Sequence, residues 1–377
     1  MKKFPVLITL GTRAELIKMA PVMRELQKQR IAYYYLHVGQ HAVLDMISQL
    51  GIKKPDSILE ISTEKRGRFQ KIVEAFIWGV KKFFLIRNEI MNVKPRLVIC
   101  HGDTMTTSLV SVATKTIPNG PLLAHVEAGI RSGDYLEPFP EEIMRQVTDF
   151  FADVHFAPTS RAVKNLNNAW NIHKNKIFLT GNTNVDVLLH SLPIALKKSN
   201  FHPPNKPYIL AQMHRQENIK SRSRCTSFIE TLIEIKKPVV FIYLENTSRQ
   251  AKKFDLEEKL KSAKHITLVD NLAYFDFLKA FSKASAVFTD GGGETEEAAT
   301  VDKPCIVFRL KTERQEAEES GAAVRVGADK KQALHYLNFA LNRKFKFKHN
   351  QMPFGDGNAS KRIVDAIKHI LNINKTN

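Results

Sequence analysis

Arg96-Leu-Val-Ile-Cys-His-Gly-Asp-Thr104 decides the fold class. The apolar run around Val98 and Ile99 is too short for a helix. It stops at a glycine, as a buried strand does. A long helical pattern at 69–91 precedes it, and the same unit recurs along the chain. In the first half, strands are predicted at 6–10, 33–38, 96–101, 122–126 and 154–157, with another helical stretch at 15–29. A second series follows at 208–212, 239–243, 266–269, 286–289 and 305–308. Short apolar runs alternating with helices predict parallel sheets with crossover helices. The expected fold is therefore α/β, with two doubly wound, Rossmann-like domains facing across a cleft. At 377 residues the chain exceeds what one core usually supports. Its domains are expected at 1–183 and 184–358, with a final helix in 359–377 that packs back on the first. The stretch 184–206, ending in His202-Pro-Pro-Asn-Lys-Pro207, reads as the connection.

Composition narrows the function classes. With 43% hydrophobic and 25% charged residues this is an ordinary globular chain. Met1-Lys-Lys3 starts basic, but a short strand follows with no small-residue cleavage site, so no leader is expected. The most apolar helical stretch, 73–86, is interrupted by Lys81 and Lys82, which argues against a membrane span. Cys100, Cys225 and Cys305 lie far apart in no metal-type spacing. They read as buried thiols of a reducing compartment, with the cytoplasm expected. The net charge of +19 is spread along the chain, and its one dense run, Arg343-Lys-Phe-Lys-Phe-Lys-His349, holds only two aromatics. Solvated lysines, with some attraction for anionic substrates, explain it better than nucleic acid does. An RNA-binding reading would rest on net charge alone.

In doubly wound sheets ligands gather at the carboxyl ends of the strands. After the first strand stands Gly11-Thr-Arg-Ala-Glu-Leu-Ile-Lys18. Thr12 suits a helix cap, the helix start attracts anions, and Arg13 and Lys18 add positive charge. Two strands end in His101-Gly-Asp103 and His125-Val-Glu127. Residues two apart on a strand face the same way, so His101 is expected beside Asp103 and His125 beside Glu127. A mononuclear metal site is one reading, but no further ligand cluster has the usual spacing, and none is assigned. Acid/base carboxylates in a partly desolvated cleft fit better. Pro140-Glu-Glu142 opens a helix in an ordinary way, yet it follows one of these strand ends. In the second half, His214, Arg215 and Glu217 share one turn. Thr289-Asp-Gly-Gly-Gly-Glu-Thr-Glu-Glu297 offers a glycine turn opening a helix, suited to a diphosphate, with Glu296 and Glu297 suited to ribose hydroxyls. No Gly-Lys-Ser/Thr follows, so it is not a P-loop.

Taken together these motifs resemble the non-hydrolysing UDP-N-acetylglucosamine 2-epimerases. The resemblance rests on Gly11-Thr-Arg-x-Glu-x-Ile-Lys18, Gly39-Gln-His41, His101-Gly-Asp-Thr104, His125-Val-Glu-Ala-Gly-Ile-Arg131, Pro140-Glu-Glu-x-x-Arg145 and Gly181-Asn-Thr-x-Val-Asp186. It continues through His214-Arg-x-Glu-Asn218, Thr289-Asp-x-Gly-Gly293, Glu296-Glu-Ala298, Thr312-Glu-Arg314 and Gly355-Asp-Gly357, covering nearly the whole chain. It implies GT-B architecture, usually a homodimer, and interconversion of UDP-GlcNAc and UDP-ManNAc by anti elimination and re-addition of UDP, supplying surface-polysaccharide precursors. On this pattern Asp103, Glu127 and Glu141 match the acid/base carboxylates, and His214 matches the group that steadies the departing phosphate. Arg13, Lys18, Arg145, Gly291, Gly292, Gly293, Glu297 and Arg314 match substrate-binding positions, and Gln40 and His41 a regulatory site. The implied partner is a UDP-sugar, without metal, redox cofactor, nucleic acid or membrane.

Several positions depart from the pattern. Ala14 stands where these epimerases usually have proline, as in the hydrolysing relatives. Gly291 replaces a serine, Thr295 a glutamine, and Leu244-Glu-Asn-Thr-Ser248 a segment of the second, regulatory UDP-sugar site. The alternatives are a hydrolysing epimerase, an epimerase of a UDP-diacetamido-uronic acid, a GT-B glycosyltransferase, and an inactive nucleotide-sugar binder.

Overall fold

The computed structural model describes residues 4–39, 44–59, 68–135, 137–170, 172, 176–342, 345 and 352–373. Gln40, His41 and most of the basic run at 343–349 lie outside them.

The chain divides into two units, Met1–Val187 with Gly355–Asn377, and Leu188–Phe354. The first holds a sheet of Val6–Leu10 (β1), Tyr33–His37 (β2), Ser57–Ile58 (β3), Leu97–His101 (β4), Leu122–Val126 (β5), Val154–Ala157 (β6) and Ile177–Leu179 (β7). Its order is β3-β2-β1-β4-β5-β6-β7. The second unit holds Ile209–Gln212 (β8), Val239–Ile242 (β9), Ile266–Val269 (β10), Ala286–Thr289 (β11), Cys305–Val307 (β12) and Ala323–Arg325 (β13), in the order β10-β9-β8-β11-β12-β13. All pairings are parallel. The α/β doubly wound expectation holds in both units. Winding reverses between β1 and β4, and again between β8 and β11. Those reversals are the switch points where loops diverge and ligands find room.

The strands read as unbroken apolar runs because helices cover both faces of a parallel sheet. β1 and β4 are buried at every position. In the first unit Leu7, Leu36, Val98 and Leu123 pack with Ile86, Ile90 and Val110 from the flanking helices. In the second, Phe228 stacks on Phe288 at 4.3 Å and meets Phe308 edge-on at 5.2 Å. The three thiols are free and buried. Burial pushes Cys100 and Cys305 up to about 12, which keeps them unreactive.

The sequence reading misses β3, β7 and β13. Each has two or three residues, too few to show a period. The stretch 184–206 differs more. Helix Thr183–Lys198 runs through most of it, and only the proline-rich part beyond is irregular. Pro193 lies inside that helix and breaks its pattern, although Val185, Val187, Leu188 and Ala195 are buried at helical spacing. The final helix, Ala359–Ile370, starts on Asp186, whose carboxylate accepts from the backbone N–H groups of Ala359 (3.0 Å) and Ser360 (2.7 Å). Farther along, Lys368 Nζ donates to Gln29 Oε1 at 3.1 Å. Among the described residues no helix is long and apolar enough to cross a membrane.

Candidate active site

The first unit's switch point is built on a helix cap. Thr12 caps helix Arg13–Lys28 and closes a capping box with Glu15. Glu15 Oε2 accepts from Gly11 N at 2.5 Å and Thr12 N at 3.0 Å, and Oε1 accepts from Thr104 Oγ1 at 2.6 Å and Thr107 Oγ1 at 3.2 Å. One buried carboxylate thus ties the turn after β1 to the helix after β4. Burial raises its pKa, and these hydrogen bonds oppose the rise. Gly11 is required by space, since a Cβ there would lie 2.8 Å from Thr106 Oγ1. Arg13 is half-buried at the start of the helix, and Ala14 beside it is exposed.

Lys18, one turn on, points its Nζ at Glu127, 3.0 Å from Oε1 and 3.2 Å from Oε2. On the other side, His101 Nε2 lies 3.4 Å from Glu127 Oε2. Burial pushes the His101 imidazole down to about 4, against the pull of Glu127, so it is neutral near pH 7. Asp103 pairs with Arg145 NH2, whose NH1 reaches Glu142 Oε2 at 3.1 Å. Glu142 is buried and also accepts from Ser132 N at 3.0 Å, so it holds Arg145 in place. Glu141 is half-buried at the first position of the same helix, Glu141–Phe151.

The His-carboxylate pairs expected from strand alternation are not the ones formed. His101 meets Glu127 rather than Asp103. His125 binds Asp149 Oδ1 through Nδ1 at 2.7 Å and donates from Nε2 to the Gly102 carbonyl at 2.8 Å. Strand geometry ends at Val126. Glu127 takes φ 73°, a left-handed value rare outside glycine, and Gly102 takes φ 74°, so the two-residue period stops before it reaches either carboxylate. Such strain in a non-glycine residue recurs at functional positions. Asp149, which the sequence reading did not single out, is fully buried. Burial opposes its charge, but Arg131 at 2.7 Å and His125 hold its carboxyl well below the ordinary range.

The second unit's switch point centres on another residue that the sequence reading gave no role, Asp290. It follows β11 and is completely buried. Oδ1 accepts from His214 N at 3.0 Å, and Oδ2 from Arg215 N and Asn218 Nδ2, both at 3.0 Å. It also lies 3.4 Å from His214 Nδ1. The turn after β8 is therefore fastened to the turn after β11. Thr247, in the segment that departs from the family pattern, donates to the Met213 carbonyl at 2.6 Å and steadies the same turn. Gly291 is the N-cap of helix Gly292–Thr300, and Gly292 and Gly293 are its first residues. Beneath them Glu313 gathers cations, with Arg309 NH1 at 2.8 Å and Arg215 NH2 at 3.4 Å. Arg314 pairs with Glu296, and Glu297 is buried beside it. The guanidiniums of Arg215, Arg309 and Arg314 are thus held at this switch point by carboxylates of the same unit. Among the described residues no group of three or more His, Cys, Asp or Glu side chains is placed to hold a metal ion.

A family described as UDP-N-acetylglucosamine 2-epimerase matches residues 24–368. The UDP-N-acetylglucosamine 2-epimerase of Methanocaldococcus jannaschii is 34% identical over 371 residues, covering 95% of this chain and 97% of that protein. The Bacillus subtilis protein of the same name is 33% identical, covering 97% and 96%. The crystal structure of the M. jannaschii enzyme with UDP-GlcNAc and UDP aligns with a TM-score of 0.84 at 33% identity, over 97% of this chain and 99% of that one. The Neisseria meningitidis enzyme bound to UDP-GlcNAc gives 0.82 at 30%, over 97% and 99%. The two parallel sheets are those of the GT-B fold. Agreement of this extent, in sequence and in both sheets, places the chain in the UDP-N-acetylglucosamine 2-epimerase family.

Proposed function

We propose that this protein interconverts UDP-GlcNAc and UDP-ManNAc without net hydrolysis. The observation that carries this reading is Glu127, held in a left-handed conformation between the Lys18 ammonium and a neutral imidazole. A base removes the C2 proton, the C1–O bond breaks, and UDP departs with the electron pair, leaving a C1–C2 unsaturated sugar. Return of a proton to the other face of C2 and re-addition of UDP at C1 complete the epimerisation. Asp103, Glu127 and Glu141 serve as acid/base carboxylates, and Arg145 orients Asp103. His214, with its backbone fixed by Asp290, steadies the departing phosphate. Gly291, Gly292 and Gly293 present backbone N–H groups to the diphosphate, Glu297 takes ribose hydroxyls, and Arg314 and Arg13 complete the binding set. The same reading makes the protein a cytoplasmic homodimer whose product feeds surface-polysaccharide assembly.

Ala14 keeps the hydrolysing outcome as the second reading. Incubation with UDP-GlcNAc, followed at the anomeric protons by NMR, separates the two. UDP-ManNAc with the UDP linkage intact is the expected product. Stoichiometric free UDP and free N-acetylmannosamine would establish hydrolysis, and an unchanged substrate would remove the enzyme reading.

A further inference from the structure

Helix Glu141–Phe151 turns one face inward, and Glu142, Arg145 and Asp149 stand on it at steps of three and four residues, all buried. Glu142 holds Arg145, and Arg145 holds the side chain of Asp103. One turn farther on, Asp149 reaches the same loop by another route. Its Oδ1 lies 2.7 Å from His125 Nδ1, and His125 Nε2 lies 2.8 Å from the carbonyl oxygen of Gly102, the residue before Asp103. The Gly102 N–H donates to the Val126 carbonyl at 3.1 Å. Both polar groups of Gly102 are therefore tied to β5.

Each nitrogen of the His125 ring faces an acceptor. A carbonyl oxygen can only accept. So can an ionised carboxylate, and Asp149 is kept ionised by Arg131 NH2 at 2.7 Å and the Gly129 N–H at 3.2 Å, both on Oδ2. A neutral ring would set a bare nitrogen lone pair against an oxygen lone pair at one end. A ring with two N–H groups satisfies both ends, and the 2.7 Å contact has the length of a charge-assisted bond. The neighbouring titratable groups are His101 on β4, His155 on β6, whose Nε2 lies 2.8 Å from the Asp149 carbonyl, and the Cys100 thiol. Burial pushes both imidazoles down and the thiol up, so none of the three carries charge near pH 7.

We propose that His125 is a fixed imidazolium and that Asp149 and His125 together are positioning residues for Asp103. The pair clamps the carbonyl ahead of Asp103 while Arg145 clamps its side chain, so the carboxylate meets the sugar in one orientation. This rests on the acid/base reading of Asp103 given above.

Two measurements on the full-length protein test it. With 15N-labelled histidine, long-range 1H–15N spectra at about pH 8.5, where ordinary imidazoles are neutral, should show one ring with both nitrogens protonated. That ring should be missing from His125→Gln. If every ring of the native protein is neutral, the imidazolium is overturned, and that result needs no variant to fold. The second measurement is deuterium exchange at C2 of UDP-GlcNAc in D2O. Asp149→Asn should lower kcat by about 30- to 100-fold, the scale of losses when a supporting partner is removed, with KM changed by less than about threefold. In the Asp103→Asn background the same substitution should cost less than about threefold, since the group it positions is already gone. An equal loss in both backgrounds, or no loss in the native one, would overturn the positioning role and leave the epimerase reading intact. No exchange by the native protein would overturn that role and the epimerase reading together.

Discussion

The turns after β1 and β11 begin from the same local chemistry and end differently. Each leads from a buried strand into a helix, and each places a glutamate at the third helical position. In the first, threonine at the N-cap lets Glu15 close a capping box, and both its oxygens are used within the protein. In the second, glycine at the N-cap leaves no such partner, and Glu294 lies over the bare α-carbon. One helix start is consumed as structure. The other makes no side-chain cap. A glycine-helix junction is therefore not a ligand site by itself. What matters is whether side chains of the protein already cap the helix start.

The sharpest way to break this contrast is to remove each carboxylate in turn. Glu15→Ala leaves the Gly11 and Thr12 N–H groups and the Thr104 hydroxyl without their acceptor, while Thr107 keeps the His101 carbonyl, and should cost about 3 kcal/mol. Chemical denaturation measures it, and a loss under 1 kcal/mol would remove Glu15 as the tie between β1 and β4. Next comes the pH dependence of the neighbouring His101. Its folded pKa of about 4 lies below the unfolded value, so the unfolded chain binds the extra proton as pH falls. Its contribution is fully present above about pH 6.5 and is lost on the way down to about 4. Between pH 7 and pH 5 that removes about 2 kcal/mol of stability. His101→Gln should flatten this part of the stability profile, and an unchanged slope would contradict the buried neutral imidazole. The smallest effect belongs to Glu294→Ala, expected to shift stability by less than about 0.5 kcal/mol. A loss comparable to that of Glu15→Ala would mean that the two turns are built alike.

Much of this was legible in the chain itself. Runs such as Val6–Leu10 and Ala286–Thr289 are buried on both faces and so apolar apart from one threonine each, and the glycines mark where they stop. The brief edge strands were invisible because two or three residues carry no period. Thr183–Lys198 was obscured by an internal proline. At the site, residue types were readable and partners were not. Strand alternation assigned His125 to Glu127, but one left-handed residue redirected the carboxylate to Lys18 and His101. Asp149 and Asp290 act through contacts far apart in sequence, His125 with the first and His214 with the second. No local pattern announces such contacts.

The central claim is that the carboxylates at the ends of β4 and β5 move a proton at C2 of a UDP-sugar. Incubation with UDP-GlcNAc in D2O, with C2 followed by NMR, tests it most directly when the native chain is compared with Asp103→Asn and Glu127→Gln. The native protein is expected to place deuterium at C2 of an intact UDP-sugar. Both variants should lose exchange by on the order of 100-fold or more while retaining UDP affinity. Exchange at the native rate in both variants, or none in the native protein, would contradict the account.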